Sequence, residues 1–578
     1  MITTQTGALH SLATLLRDDK ALMSLIGSPD GTVAVPDTAR SIAIAALAQL
    51  SGRRPVVVAC PTSTMAAQLA DDIKAFMPAG DVMLFPAWET LPFERVSPSV
   101  ETMGRRLEVL WRLQSEDRTP QIIVASMRAL LQQLGPDTAT NQPVIIRQGM
   151  SLDPDELMRT LVNGGYRRED LVEHRGEVAR RGAIIDVFPS TADAPIRIDL
   201  WGDEVDRLTN FSVHDQRSDN DLDEVAIFPA RELILNEAVR ERAASMVASE
   251  PWGREHWERL SEGALFDGME SWLPWLTTSP TLLSDVLPRG SKMLLIEPRR
   301  MRDRAADLLA EEADLAKALA SSWARDAERD FPRLYSPPDR LLSETRGSWN
   351  LIPVADGPDM PLMEASGWGA MGGSGDGIAE RMRTLLSQGY RVVVAADGEG
   401  SAQRLSEIFS NAGLQLDIYH ELTDGKAPNL ASKGGAIVVT SLHRGFSIPS
   451  AKVAVITEAD ITGRRRSHRQ PRPKKREGGT VFEDLKTGNY VVHYIHGVAK
   501  YEGMVKRTVG GIERDYLLLA YKGGDKLYVP SDQIDTVRHY VGGETPVLHR
   551  LGGSDFARSK SKVRSAVREI AQELVVLY

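Results

Sequence analysis

The loop after the first predicted strand stands where a phosphate-binding loop would lie. A working P-loop needs the pattern G-x-x-x-x-G-K-[ST], in which backbone N–H groups wrap the phosphates, Lys reaches the β and γ phosphates, and Ser or Thr holds Mg²⁺. Here the loop reads Val35-Pro36-Asp37-Thr38-Ala39-Arg40. It has no Gly and no Lys, Pro36 removes a backbone donor, and Asp37 places a negative charge near the phosphate position. The sequence therefore predicts a degenerate nucleotide site.

Two acidic segments resemble the Mg²⁺-binding box of a helicase. Residues 203–206 (DEVD) follow the segment IRIDLW, in which apolar and charged residues alternate as in a half-exposed strand. Gly202 and Asp203 then predict a hairpin turn. Residues 458–460 (EAD) follow an apolar run that is typical of a buried strand, but no phosphate loop precedes them in their domain. We interpret both segments as structural.

Other signatures of catalysis and metal binding are missing from the sequence. It contains no Ser-His-Asp elbow, no HExxH motif and no paired metal-binding histidines. His493 and His496 are three residues apart, and alternation along a strand would turn them to opposite faces. The one cysteine, Cys60, allows no disulfide framework and fits a reducing cytoplasm. We expect no catalytic residue, no bound cofactor and no metal ligand in this chain.

A basic run from Arg464 to Arg476 contains eight Lys or Arg in thirteen residues. Its two prolines and its lack of periodic apolar residues indicate a linker. Two interpretations stay open for it, a solvated tether or a weak contact with DNA phosphates. The net charge of −10 argues against a nucleic-acid footprint over the whole surface.

Strands and helices alternate near the N-terminus, which predicts a parallel α/β sheet. Apolar runs at 32–35, 55–60 and 121–126 predict strands, and the pattern at 65–76 predicts a helix. Short β-branched and aromatic segments separated by glycines after residue 481 predict a small β barrel. A helical apolar spacing begins at Val563 and stops in mid-period at Tyr578. We therefore expect the natural protein to continue.

Composition divides the chain into eight segments. They are an α/β domain in two parts (1–140 and 221–364), an α+β insertion (141–220), a Gly-rich linker (365–377), a small α/β domain (378–461), a basic linker (462–480), a β barrel (481–548) and a C-terminal helix (549–578). A length of 578 residues allows about three to five domains. No apolar run reaches 18 residues and no signal peptide is evident, so we expect a cytoplasmic monomer that does not bind membranes.

Four blocks of the sequence, in the same order, resemble the bacterial transcription-repair coupling factors. Residues 61–76 resemble the motif after the first strand of superfamily-2 helicase folds. Residues 84–98 (LFPAWETLPFERVSP) resemble a hallmark stretch of the family, which the excision nuclease subunit UvrB shares in weaker form. Residues 165–189 resemble the UvrA-binding insertion domain of UvrB and of the coupling factors. Residues 496–530 resemble the polymerase-interacting domain, which is also found in CarD-type regulators.

The resemblance implies an α/β multidomain fold. Its parts would be a UvrB-like, degenerate superfamily-2 helicase-like α/β domain with an α+β insertion, a second small α/β domain, a small Tudor-like β barrel and a C-terminal helix. In the full-length family member an ATP-driven DNA translocase follows, with its own ATP and Mg²⁺ sites. This chain would then be the motor-less front part, a scaffold that hydrolyses no ATP itself and leaves most DNA binding to the motor.

The resemblance also implies two protein partners. The partner of the insertion is UvrA, for which the implied contacts are Arg168, Arg175, Arg181 and Phe188. Phe188 could equally be a core residue. The partner of the barrel is the RNA polymerase β subunit, for which the implied contacts are an edge-strand segment, Lys506, Arg507, Thr508 and Val509.

Two rival functions come from other classes. One is an active DNA-dependent NTPase or helicase, which the acidic segments favour and the degenerate loop opposes. The other is a plain DNA-binding module that works through the basic linker, in which case affinity would fall steeply with salt.

Overall fold

The computed structural model describes residues 7–138, 141–277, 279–319, 331–342, 347–368, 375–419, 430, 434–462, 487–493, 496–509, 512–530, 537–540 and 546–551. The chain divides into two compact units. The first comprises residues 1–265 and 269–467, and the second comprises residues 266–268 and 468–578. No helix within the described ranges is both long enough and apolar enough to cross a membrane. The predicted basic linker (Arg464–Arg476) and the C-terminal helix lie outside the described residues.

The N-terminal part of the first unit alternates strands and helices. In chain order they are α1 (His10–Ala13), α2 (Lys20–Ile26), β1 (Gly31–Ala34), α3 (Arg40–Ser51), β2 (Val56–Cys60), α4 (Ser63–Lys74), β3 (Val82–Phe85), α5 (Val100–Arg112), β4 (Ile122–Ser126) and α6 (Met127–Leu131). Every residue of β2 and β4 is buried, as in parallel strands that helices cover on both faces. The predicted strands and the predicted helix are confirmed to within two residues.

The insertion is a separate, mostly antiparallel unit. Its elements are β5 (Val144–Arg147), α7 (Pro154–Asn163), β6 (Arg167–Arg168), β7 (Glu177–Arg181), β8 (Ile184–Val187), β9 (Ile196–Trp201), β10 (Glu204–Phe211), β11 (Ser218–Asp221) and β12 (Glu224–Ile227). Six strands form one sheet in the order β11-β10-β9-β8-β7-β6. The chain leaves through β12, which pairs antiparallel with the entering strand β5. The entrance and the exit of the insertion are therefore held together.

The chain then completes the first sheet. The returning elements are α8 (Glu237–Ser249), α9 (Arg254–Ser261), α10 (Leu273–Leu276), β13 (Lys292–Ile296), α11 (Pro298–Leu319), α12 (Asp339–Leu342) and β14 (Trp349–Ile352). Strands β13 and β14 insert between β1 and β2 and give an all-parallel sheet in the order β1-β14-β13-β2-β4-β3. The sequence on both sides of the insertion thus builds one sheet.

The last part of the first unit is the small α/β domain. It contains β15 (Ser366–Gly367), α13 (Gly375–Ser387), β16 (Arg391–Ala396), α14 (Glu399–Asn411), β17 (Asp417–Tyr419), β18 (Gly434–Val439), β19 (Phe446–Ile448), β20 (Val453–Thr457) and α15 (Glu458–Thr462). The predicted Gly-rich linker needs a correction at its start, because β15 pairs with β19 as part of this sheet. Trp368 is buried and its Nε1 donates to the Val455 carbonyl at 2.7 Å, which joins this segment to β20.

The small α/β domain and the first sheet share one apolar core. Phe76, just after α4, and Phe446 of β19 have ring centroids 6.2 Å apart within a single buried cluster. Asp72 of α4 accepts hydrogen bonds from the backbone N–H of His443 at 2.9 Å and lies 2.7 Å from its Nδ1. The first sheet and the sheet of the small α/β domain are therefore packed as one body.

The second unit contains a five-stranded antiparallel sheet. Its strands are β21 (Tyr490–His493), β22 (Gly497–Val509), β23 (Ile512–Ala520), β24 (Lys526–Pro530) and β25 (Val537–His539), in the order β24-β23-β22-β21-β25. The multidomain α/β architecture is confirmed, and the β character of this region agrees with the prediction. The superfamily-2 and Tudor-like assignments stay predictions.

The expectation for His493 and His496 was wrong in its geometry. Strand β21 ends at His493 and β22 begins at Gly497, so the alternation of a single strand does not apply to the pair. Their ring centroids are 4.7 Å apart, and the His496 backbone N–H donates to His493 Nδ1 at 3.2 Å. Burial, together with the neighbouring His496, lowers the pKa of His493 to about 3. His493 is therefore neutral at physiological pH and acts as a structural residue.

A fully buried ion pair joins α5 to the end of the insertion. Arg106 donates from Nε to Glu232 at 2.8 Å and from Nη2 at 3.1 Å, and both side chains are 0% exposed. Glu232 also accepts from Trp88 Nε1 at 2.8 Å, and Arg106 donates to the Pro86 carbonyl at 2.9 Å. The hallmark stretch 84–98 is thus held by two charges that are far apart in sequence.

Removing one partner of this pair should be costly. We expect Arg106→Met to lower the free energy of unfolding of the first unit by about 3–5 kcal/mol, because Glu232 would remain buried without its countercharge. The measurement is urea unfolding followed by tryptophan fluorescence. Arg105→Met is the matched control, since the neighbouring Arg105 pairs with Glu101 at the surface and should change stability by less than about 1 kcal/mol. Equal effects of the two variants would contradict the assignment.

Glu312 of α11 should make the free energy of unfolding of the first unit depend on pH. Burial raises the pKa of Glu312 from its usual value to about 7, although its carboxylate accepts backbone N–H groups of Leu334 and Tyr335. The folded state therefore binds this proton more tightly than the unfolded state. The stability that protonated Glu312 contributes is fully present below the pKa of the unfolded state. It is lost as pH rises through about 7, and above that pH it does not change further.

We expect Glu312→Gln to be more stable than the wild type above pH 7, by about 3 kcal/mol, and nearly equal to it near pH 4.5. Urea unfolding at pH 4.5, 6 and 8 measures this difference. A stability difference that does not change with pH would refute the role of Glu312.

Candidate partner-binding surfaces

The loop after β1 is occupied by an ion pair of the chain itself. Residues 37–39 form one 3₁₀ turn and Arg40 begins α3. The buried Arg40 guanidinium lies 2.7 Å from Asp37 and 2.8 Å from Glu297, which follows β13. Since this loop is where a P-loop would place phosphates, an internal guanidinium and two carboxylates stand at that position.

Neither acidic segment has the surroundings of a Mg²⁺ box. Residues 203–206 form the turn and start of the β9–β10 hairpin, as predicted. Asp460 accepts hydrogen bonds from the backbone N–H groups of Gly445 and Thr457, both at 2.9 Å, and Glu458 pairs with Arg404 at 3.2 Å. These carboxylates hold loops and a helix in place. Among the described residues, no group of three or more His, Cys, Asp or Glu side chains could hold a metal ion.

The three predicted arginines of the insertion have different surroundings. Arg168, on the edge strand β6, is exposed. Arg181, at the end of β7, is 45% exposed and donates to Asp186 at 2.5 Å. Arg175 is 27% exposed and binds Glu101, Asp193 at 2.9 Å and the Ala192 carbonyl at 2.8 Å. Only Arg168 and Arg181 therefore present much of their side chains to a partner.

Phe188 is buried in a small cluster with Val172, Ala179 and Phe211. The Arg175 guanidinium lies 5.6 Å from its ring centroid, a cation–π distance. Of the two roles that the sequence left open for Phe188, the core role agrees with this burial. Its contact with UvrA stays a prediction.

The insertion rests closely on α5. Arg175 pairs with Glu101, near the start of α5, and Gly104 of α5 faces Ser190. Ser190 Oγ donates to the Phe228 carbonyl at 3.2 Å, and Tyr166 donates to the same carbonyl at 2.7 Å. These contacts set the orientation of the insertion on the first domain.

The predicted polymerase segment, residues 506–509, lies in the part of β22 that extends beyond its pairing with β21. Strand β21 pairs with β22 as far as Lys500, whereas β23 continues alongside β22 to Val509. In the described part of the second unit, β23 is the only strand paired with residues 503–509. Arg507 lies with its guanidinium carbon 3.8 Å above the Tyr528 ring. The side chains of Thr508 and Val509 lie outside the described residues.

Sequence reasoning did not find three features of these surfaces. The Arg106–Glu232 pair and the Gly104–Ser190 approach join distant segments and leave no local pattern. Trp201, at the tip of the β9–β10 hairpin, is 82% exposed. Its signal was present, because the alternation of IRIDLW places it on the same face as Arg197 and Asp199.

Three family models match separate parts of the chain. They are described as the UvrB interaction domain, at residues 144–233, the MFD D3 domain, at residues 385–461, and the CarD-like/TRCF RID domain, at residues 485–541. They coincide with the insertion, the small α/β domain and the five-stranded sheet. Their order is the order that the resemblance predicted.

Similar curated proteins carry the name transcription-repair-coupling factor. The protein of Mycobacterium bovis is 36% identical over 596 residues, with 96% of this chain and 48% of the relative covered. Those of Bacillus subtilis and Haemophilus influenzae are 31% and 29% identical, covering 94% and 93% of this chain and 48% of each relative. The chain therefore spans about half the length of the curated relatives it matches, and the predicted resemblance is confirmed.

The close approach of Gly104 to Ser190 gives a testable prediction. A Cβ at residue 104 would lie 2.5 Å from the Ser190 Cβ, so Gly104→Ala should lower the free energy of unfolding by about 1–3 kcal/mol and loosen the insertion. Thermal unfolding and limited proteolysis of the insertion measure the two effects. Gly400→Ala, in α14 with nothing within 4 Å of the added Cβ, is the matched helical control and should be neutral or stabilising. A stable, protease-resistant Gly104→Ala variant would refute the contact.

Proposed function

Because nearly the whole chain is similar to the N-terminal part of transcription-repair-coupling factors, we propose that it is a scaffold of transcription-coupled DNA repair. In this proposal it binds the RNA polymerase β subunit with its five-stranded sheet and recruits UvrA with its insertion. The single observation that carries the proposal is the presence of both interaction-domain matches on one chain, in two different compact units.

The exposed arginines support the UvrA site. Arg168 lies exposed on a sheet edge, and Arg181 keeps nearly half of its side chain accessible. Guanidinium groups make forked contacts with carboxylates and are frequent at interface hot spots. Arg175 and Phe188 lie beneath this surface. Arg175 contacts the Phe188 ring and pairs with Glu101, which holds the loop after β6 against α5. We propose Arg168 and Arg181 as contacts and Arg175 and Phe188 as positioning residues.

Among the described residues, only β23 pairs with residues 503–509 of β22, which supports the polymerase site. A strand edge carries a row of backbone N–H and C=O groups that can accept a strand from another protein. Stacking on Tyr528 restricts the Arg507 side chain, which lowers the entropy lost when a partner binds. Lys506, Arg507, Thr508 and Val509 form the proposed contact segment.

Hydrolysis of ATP is assigned to the part of the relatives that this chain does not span. The Arg40–Asp37–Glu297 ion pairs support this assignment, since they take the position of the phosphates in the first sheet. The single cysteine supports a reducing cytoplasm as the location.

One binding experiment tests both sites. We expect the chain to bind purified RNA polymerase β subunit and purified UvrA in separate titrations. Arg507→Asp should weaken polymerase binding at least tenfold and leave UvrA binding unchanged, because it places a carboxylate on the contact strand. Arg168→Asp should do the reverse, so each variant is the folding control for the other.

Three results would count against the proposal. Absence of binding to either protein would overturn the scaffold. Binding that survives Arg507→Asp and Arg507→Ala would move the polymerase contact elsewhere on the sheet. DNA-stimulated ATP hydrolysis by this chain would favour the NTPase alternative.

A further inference from the structure

Trp201 is the most exposed large hydrophobic side chain in the described part of the protein. It is the last residue of β9. The turn residues Gly202 and Asp203 follow it, and β10 begins at Glu204. Tryptophan is rarely left in water, because its large apolar surface is stabilised by burial. The described residues of the first unit do not provide that burial, since 82% of the side chain is accessible.

The hairpin that carries Trp201 is held on both sides. On one side the Leu200 backbone N–H donates to the Ala183 carbonyl at 3.0 Å. On the other, the backbone N–H of Leu152 donates to the Asp203 carbonyl at 2.7 Å, and Val205 and Met150 are joined at 2.9 Å. The exposed indole therefore stands on a fixed backbone and not on a loose loop.

Trp201 lies on the same face of the sheet as Arg181. Arg181 of β7 pairs with Ile184 of β8, and Ile184 pairs with Asp199 of β9. Since side chains two residues apart along a strand share a face, Trp201 follows Asp199 on that face. The two neighbouring turns at Gly182 and Gly202 therefore bring an arginine and a tryptophan to one end of the insertion.

We propose that Trp201 is the aromatic anchor of the surface with which the insertion binds UvrA. This inference rests on the proposed function and extends its contact set from guanidinium groups to an indole. Binding energy at interfaces concentrates in a few Trp, Tyr and Arg side chains that become fully desolvated. A tryptophan on a rigid hairpin loses little conformational entropy when it is buried, which favours this role.

The arrangement also defines the chemistry of the receiving surface. The indole requires an apolar pocket on UvrA. Arg181 already donates to Asp186, and the exposed 45% of its side chain can reach a second carboxylate at the rim of that pocket. The opposite face of the insertion sheet is closed by its own core, which contains Val178, Ile185 and Ile198. A partner that buries Trp201 therefore approaches the face that carries Arg181, close to the exposed turn at Gly182, and it would reach Arg168 around the edge strand β6.

The test compares UvrA affinity among four forms of the full chain: wild type, Trp201→Ala, Trp201→Phe and Val354→Ala. We expect Trp201→Ala to weaken binding at least tenfold and Trp201→Phe to weaken it less, because a smaller ring fills part of the pocket. Val354 is 72% exposed outside the insertion, so Val354→Ala is the matched control and should bind as the wild type does. Thermal unfolding of Trp201→Ala should be unchanged, because the side chain is exposed.

A second readout does not depend on substitution. Hydroxyl radicals oxidise exposed tryptophan, and the tryptic peptide of residues 198–207 (IDLWGDEVDR) contains no other tryptophan. Adding UvrA to the wild-type chain should lower oxidation of this peptide several-fold.

The outcomes separate the two levels of the proposal. Wild-type binding with unchanged affinity of Trp201→Ala and no protection from oxidation would overturn the anchor and leave the scaffold standing. Failure of the wild type to bind UvrA would overturn both. Protection of Trp201 in the free chain, before UvrA is added, would mean that another part of this chain covers it and would also overturn the anchor.

Discussion

The first unit depends on one buried ion pair between residues far apart in sequence. Arg106 and Glu232 are both fully buried, and a charge placed in a protein interior is tolerated only when an opposite charge and hydrogen bonds satisfy it. Trp88 and the Pro86 carbonyl complete that satisfaction. Since Arg106 lies before the insertion and Glu232 just after it, the folded insertion must return the chain to this point. The pair thus specifies where a whole domain begins and ends.

The arginines of the insertion differ in how many partners they have within the chain and in how far they are exposed. Arg175, the arginine that contacts α5, already forms ion pairs with Glu101 of α5 and with Asp193. Those farther away, at the edge strand and at the hairpin turns, have fewer internal partners. In the proposed complex, the orientation of the binding surface is set by buried charges, and its chemistry comes from the distal arginines and one indole.

The sequence predicted the elements whose burial is complete and failed where distant polar groups meet. The strands β2 and β4 appear as unbroken apolar runs because helices cover both of their faces, so their position follows from composition alone. No sequence pattern predicts the Arg106–Glu232 pair, because an isolated Arg and an isolated Glu are typical of the protein surface. His493 and His496 were misplaced for a related reason, since a strand boundary falls between them. The exposure of Trp201 follows from the alternation of β9, which places it on one face with Arg197 and Asp199.

The ion pairs of Arg40 have a consequence for how the first domain behaves over time. Domains with a working P-loop alternate between empty and occupied shapes as their ligand comes and goes. Here the cation and its two carboxylates are covalent parts of the chain, so these ion pairs form without a ligand and do not depend on its concentration. They link the start of α3 to the residue that follows β13. The Arg40 ion pairs therefore contribute constancy of shape to this loop.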